Sequence, residues 1–270
     1  MVTMKRLTTR NYWDAQWQSE NLLPDRFNSV GNFLNRAYRQ AFHRFFVSQF
    51  GNTTEKALLE VGCGRSQLLP YFAVELGFAH PSGLDYSEPG CKVAREILRK
   101  YSVDGIIYCG DLWDEAATHG KKFDIIISCG VIEHFEDTAA TIRAISRHCA
   151  SEGEVLSVIP NMRGLPGALQ QAVDKDVYEL HVPVSLQALI DAHQSAGLVI
   201  LDSGYILPAH FGVVGLSAAR RTFVRKLALS SALYFSTSLQ ILDRWVRLPR
   251  SEMLSPYLFV RAKMPGAVQG

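Results

Sequence analysis

Residues 57–64 run Ala57-Leu58-Leu59-Glu60-Val61-Gly62-Cys63-Gly64, a short apolar strand that carries one acid and breaks at once into a glycine turn. A strand with apolar side chains pointing both ways has to be covered on both faces, the condition of a parallel sheet flanked by helices. The glycines that follow let the backbone approach a neighbour or a ligand with no Cβ in between. Glu60 falls where such a strand opens at its carboxyl end, the side on which open α/β sheets bind ligands. A carboxylate there suits a positively charged ligand and repels a phosphate.

The same alternation continues to about residue 204. Apolar runs predict strands at 57–61, 81–85, 105–109, 123–128, 154–159 and 198–204, with a seventh at 256–263. Helical patterns fall between them at 66–77, 88–101, 135–149 and 185–196, and Gly77, Gly153 and Gly197 supply stops. The expected class is therefore α/β, a seven-stranded, mostly parallel sheet with helices on both faces. Its parts are a helical N-terminal extension at 1–50, a core at 51–205, a helical insertion at 206–250, and a last strand and tail at 251–270. Residues 161–182 read as irregular, because Gly164, Pro166 and Gly167 interrupt any regular pattern.

Charge is unevenly spread along the 270 residues. Residues 1–50 carry seven Lys/Arg against three acids, and residues 206–270 carry nine against two, so a net +2 leaves the middle at −9. Basic flanks around an acidic core suggest added helices that fold over it or meet an anionic surface. Leu227 to Leu242 is apolar but interrupted by five Ser/Thr, too short and too polar for a membrane span. It reads as a helix packed on the domain or lying in an interface, so peripheral membrane contact through the basic insertion stays open. Met4-Lys5-Arg6 leads straight into polar sequence with no secretory pattern, and the cytoplasm is the expected compartment. Five cysteines without CxxC spacing read as reduced hydrophobes. No His/Cys cluster has ligand spacing, so no metal is expected.

The turn alone leaves two cofactor classes open. A dinucleotide fingerprint would need glycine at 67, where the chain has Gln67, yet the acid of Gly83-Leu84-Asp85-Tyr86-Ser87 suits a ribose diol in either class. Two further strand ends narrow the choice: Cys109-Gly110-Asp111-Leu112, and Phe123 to Phe135 with Cys129-Gly130-Val131 and Glu133-His134. Across 57–204 the chain resembles class I S-adenosylmethionine-dependent methyltransferases, in particular the small-molecule branch with an E-x-G-x-G-x-G turn. Glu60, Gly62 and Gly64 match that turn, Cys63 lies within it, and Ser66 replaces its third glycine. The resemblance implies a Rossmann-like fold and S-adenosylmethionine as cofactor. It also implies that Asp85 receives the ribose hydroxyls, Tyr86 flanks the adenine and Asp111 receives its amino group, with Ser87 and Leu112 beside them in the cofactor site. Cys129, Gly130 and Val131 then form the wall after the fourth strand.

Asn11-Tyr12-Trp13-Asp14-Ala15-Gln16-Trp17 resembles an opening found in many of these enzymes, where an N-terminal helix closes over the site. Tyr12 and Trp13 are the lid candidates, with core packing an equal reading for Trp17. His134, expected at a helix start whose dipole would keep it neutral, is a candidate general base or a packing residue. His181, in a segment similar to the family's His-x-x-x-S-x-x-x-L-L, is a second catalytic group or a loop anchor. Glu133, Glu136 and Asp137 read as favouring the helix start, and the other six histidines as surface or core residues. Ser128-Cys129-Gly130-Val131 stands where nucleic-acid amino methyltransferases carry an Asn/Asp-Pro-Pro motif, which disfavours a nucleic-acid acceptor. The expected reaction is O-methylation of a sugar, glycan or natural-product hydroxyl. The alternatives are N-methylation, a lipid- or quinone-like acceptor at a membrane, an NAD-dependent oxidoreductase, or a non-catalytic cofactor binder.

Overall fold

The computed structural model of the protein describes residues 5–18, 33–51, 53–215 and 223–266. The expectations for the N-terminal extension and the insertion therefore fall in part, at 19–32 and 216–222, outside the described residues. In chain order the elements begin with α1 (Arg10–Gln18), α2 (Phe33–Gln49), β1 (Leu58–Val61), α3 (Leu68–Leu76), β2 (Ser82–Asp85) and α4 (Glu88–Tyr101). They continue with β3 (Ile106–Cys109), β4 (Phe123–Cys129), α5 (Thr138–Ser146), β5 (Cys149–Pro160), α6 (Leu165–Val173) and α7 (Lys175–Tyr178). The last are α8 (Leu186–Ser195), β6 (Val199–Ile206), α9 (Phe223–Leu242) and β7 (Tyr257–Lys263).

The seven strands form one sheet in the order β3-β2-β1-β4-β5-β7-β6, parallel except where β7 runs antiparallel to both β5 and β6. Alternate side chains of the central strands serve opposite cores. Leu59, Val61 and Ile126 pack with Ile142, Ile145 and Leu189 of α5 and α8, whereas Leu58, Ile125 and Ile127 pack with Phe46, Leu69, Phe72 and Leu98 of α2, α3 and α4. This is the period-two alternation of a strand buried on both sides. Strand order reverses between β1 and β4, so the two helical layers part there and leave a crevice at the carboxyl ends of these strands. Each of these strands is followed at once by a glycine with positive φ, Gly62 at 76° and Gly130 at 73°.

Two local expectations are corrected. The stretch after β5 is helical as α6 and α7. Pro166 lies in the first turn of α6, where its missing N–H leaves no gap, and Gly167 lets the helix press on Met162, whose oxygen would lie 2.1 Å from an added Cβ. The helix expected from 135 begins only at Thr138, capped by Asp137, whose carboxylate accepts from the Ala140 amide at 2.8 Å. His134 ends a separate 3-10 turn, Ile132–His134, and does not lie in the first turn of α5.

Candidate functional site

A cavity of about 470 Å³ opens in the crevice at the carboxyl ends of β1, β2 and β4. Glu60 forms part of its lining, 2% exposed, and its Oε2 has no hydrogen-bond partner. Burial pushes its carboxyl up to about 8. The Ser66 hydroxyl and the Leu69 amide offset part of the shift, and the charge of Asp85 adds to it. The turn beyond it is tight, since a Cβ on Gly62 would meet Val131 Cγ2 at 2.3 Å.

Asp85 ends β2 almost wholly buried, its Oδ2 accepting from the Gly64 amide and its Oδ1 from the Ser87 amide, both at 2.8 Å. Burial raises its pKa and these amides lower it. Each oxygen keeps a second lone pair for a further donor. Tyr86 and Leu112 also line the cavity, and so does Asp111, which is ion-paired with Arg6. The Arg6 guanidinium stands over the Tyr86 ring at 5.0 Å and the Phe135 ring at 5.4 Å.

Arg6 is held there by a short antiparallel bridge. The Leu7 amide donates to the His134 carbonyl at 2.9 Å, and the Glu136 amide donates to the Lys5 carbonyl at 3.2 Å. From this hinge α1 runs across the opening. Trp13 donates its indole N–H to Thr8 Oγ1 at 3.0 Å and stacks on Trp17 with centroids 5.6 Å apart. Trp17 lies in a notch of two glycines, since Cβ atoms on Gly64 and Gly90 would fall 2.9 and 2.8 Å from its ring. Asp14 accepts from the Ser87 hydroxyl at 2.5 Å and so ties the lid to the start of α4.

Of the residues singled out from sequence, Trp13, Glu60, Gly62, Asp85, Tyr86, Asp111, Leu112, Cys129, Gly130, Val131 and His134 line this cavity. Cys63, Gly64 and Ser87 stand behind the wall, and Tyr12 packs edge-on against Trp13, 5.1 Å away, without lining it. Trp17 takes the place expected of Tyr12. A signal for it existed, because Trp13 and Trp17 are one helical turn apart and share a face. Arg6 had no signal beyond a basic N-terminus.

Beside the cavity, Glu133, His134 and His181 bring their ligand atoms within 4.8 Å of one another. Chain separation hid this group, because His181 lies on the loop after α7. Carbonyls only accept, so the His134 Nδ1–H donates to Leu180 O at 2.7 Å and the His181 Nδ1–H to Val177 O at 2.9 Å, leaving each Nε2 with its lone pair. Burial, then the neighbouring His181, lowers His134 to about 4, so the ring is neutral. Glu133, expected to favour a helix start, is instead 1% exposed, raised by burial to about 8, with Oε2 unpartnered. Two imidazoles and a carboxylate could also hold a divalent cation.

A second chamber of about 430 Å³ adjoins the first, and Leu68, Cys129 and Gly130 line both.

Comparison with known proteins agrees with this geometry. A family model described as a methyltransferase domain matches residues 30–203. Over 100 residues the chain is 31% identical to the ubiquinone biosynthesis O-methyltransferase of Aromatoleum aromaticum, which covers 37% of this chain and 42% of that one. Matches of this kind span 39–57% of the length of the curated relatives. Among solved structures, the complex of the Haloferax volcanii Trm112 methyltransferase activator with a methyltransferase superposes with a TM-score of 0.58 at 13% identity, covering 96% of this chain and 100% of that one. The plantazolicin methyltransferase BamL, solved with a substrate analogue and S-adenosylhomocysteine, gives 0.50 at 16%, covering 85% of each chain. At these identities the structures attest the fold. With the family match covering nearly two thirds of its length, on a sheet whose switch point carries these glycines and carboxylates, the chain belongs to the methyltransferase domain family.

Proposed function

We propose that the enzyme methylates a hydroxyl of a small molecule, and that the first cavity is its cofactor site. Two observations support the fit of S-adenosylmethionine. Glu60 keeps an unpartnered buried oxygen able to receive an ammonium group, and Gly62 admits no side chain because a Cβ there would meet Val131 of the cavity wall at 2.3 Å. When bound, the cofactor supplies a methyl group on a sulfonium. Asp85 would accept from the ribose hydroxyls through its remaining lone pairs, with Tyr86 beside the adenine and Asp111 and Leu112 at its edge. Cys63, Gly64 and Ser87 hold Asp85 and the turn in position, and Cys129, Gly130 and Val131 form the opposite wall. Trp13 and Trp17 cover the site and exclude water, while Tyr12 backs Trp13. In this reading 51–205 is the cofactor core, α1 covers its opening, α9 belongs to the helical insertion at 206–250, and β7 completes the sheet.

The observation that carries hydroxyl chemistry is His134, a neutral ring on the cavity wall whose Nδ1–H is fixed by Leu180 and whose Nε2 can take a proton. His181 is its positioning partner, 4.7 Å away between ring centroids. Calorimetry with S-adenosylhomocysteine, paired with methyl transfer from labelled donor into phenols and a methyl glycoside, tests both parts. His134→Ala should keep product affinity within about twofold and lose about 10²-fold in turnover. Full turnover in that variant would remove the base and leave the cofactor site standing.

A lipid-soluble acceptor reached at a membrane surface is favoured over a soluble sugar by one observation. Tyr234, Phe235, Leu242, Trp245 and Val246 are exposed on α9 and the turn after it, with Trp245 at 84%. Among the described residues no helix is long and apolar enough to cross a membrane, so contact would be peripheral. The partial relatives named for ubiquinone biosynthesis agree with such an acceptor.

A further inference from the structure

We infer that the second chamber is the acceptor site and that it selects a flat phenolic compound over a sugar; this rests on the reading that the enzyme methylates a hydroxyl. The chamber meets the cofactor cavity at Leu68, Cys129 and Gly130, so an acceptor in it has one end at the shared wall.

Its other walls are aromatic. Phe42 packs against Tyr38 at 4.9 Å, Tyr257 at 5.4 Å and Phe46 at 5.8 Å, and Phe46 continues to Tyr71 at 5.7 Å. Rings from α2, α3 and β7 thus make a continuous surface against which another ring can stack or meet edge-on.

The polar groups are few and partly engaged with one another. Tyr38 Oη and Tyr257 Oη lie 3.2 Å apart, so one hydroxyl hydrogen is used within the pair and one remains for a ligand. His43 Nδ1 lies 3.0 Å from Tyr71 Oη. Arg39 and Gln67 complete the polar lining, and none of the described residues lining the chamber carries a carboxylate. A pyranose would bring a hydroxyl on most ring carbons, and each one buried without a partner lowers affinity about tenfold. A phenol needs one or two partners and fills the rest of the space with apolar surface.

The test uses the full chain with 2-naphthol and methyl α-D-glucopyranoside as probes, S-adenosylhomocysteine being present at saturation. Naphthol fluorescence should report saturable binding and the glucoside should not compete. Phe42→Leu, which keeps α2 apolar, and Tyr257→Phe should each weaken naphthol about tenfold. Both should leave the affinity for S-adenosylhomocysteine and the far-ultraviolet dichroism unchanged. Binding of the glucoside with none of naphthol, or naphthol binding indifferent to both substitutions, overturns the chamber and spares the cofactor site. Failure of S-adenosylhomocysteine to bind overturns the parent reading and this inference with it.

Discussion

Replacing Glu60 by Gln should make the ligand-free protein more stable and the cofactor complex weaker, both because of where the carboxyl sits. In the unfolded chain it ionises near 4.5, and in the fold burial holds its proton to about 8. Between these values the folded state binds one more proton than the unfolded state, so stability falls as pH rises across the interval, by about 1.4 kcal/mol per unit. Gln resembles the protonated form and does not titrate. The stability of Glu60→Gln relative to the native chain should therefore grow by about 2.5 kcal/mol between pH 5.5 and 7.5, the slope easing as pH nears the folded-state value. Urea unfolding at the two pH values measures it, and the buried histidines, common to both proteins, cancel in the difference. Calorimetry at pH 7.5 should show S-adenosylhomocysteine bound at least tenfold more weakly, since Gln offers the ammonium an acceptor oxygen but no negative charge. A stability difference that does not change with pH would refute the desolvation argument, and unchanged affinity would refute the assignment of Glu60 to the ligand's ammonium.

Gly62→Ala combines a backbone at φ 76° with a Cβ 2.3 Å from Val131 Cγ2, and should cost about 2 kcal/mol in urea unfolding, with part of the loss restored when Val131→Ala is added. Trp17→Ala empties the notch between Gly64 and Gly90. Stopped-flow should then show S-adenosylhomocysteine leaving at least tenfold faster with little change in its association rate. Asn161, 1% exposed, donates to the carbonyls of Glu252 and Ser255 and accepts from the amides of Arg163 and Gly164, stitching the end of β5 to the loop before β7. Asn161→Ala should lower stability by about 3 kcal/mol in the same unfolding assay, because it leaves several of these backbone groups unpaired.

The strand pattern was legible because it is local. Ile125-Ile126-Ile127 serves both cores by alternation alone, and the breaks at Gly62 and Gly130 mark strand ends wherever the strands finally lie. The carboxylates Glu60, Asp85 and Asp111 could be picked out for the same reason, since each stands at or near the end of a strand that opens on one side of a parallel sheet. Misread stretches were those where tertiary contact outweighs local preference. Pro166 and Gly167 looked like breakers, yet one opens α6 and the other lets it press against Met162.

Sequence by itself determined the alternation of buried strands and helices, the side of the sheet on which the strands open, and the acid and glycines of the turn at that end. Only the tertiary structure decided what closes and tunes that crevice. Arg6 reaches Asp111, Trp17 fits between Gly64 and Gly90, and His181 joins Glu133 and His134, while α2, α3 and β7 wall the aromatic chamber. The physical reason is that a side chain's conformational choice is set nearby, whereas its solvation and partners are set by whatever the fold brings against it. His134 stays uncharged at neutral pH because it is buried, a property that no spacing along the chain records.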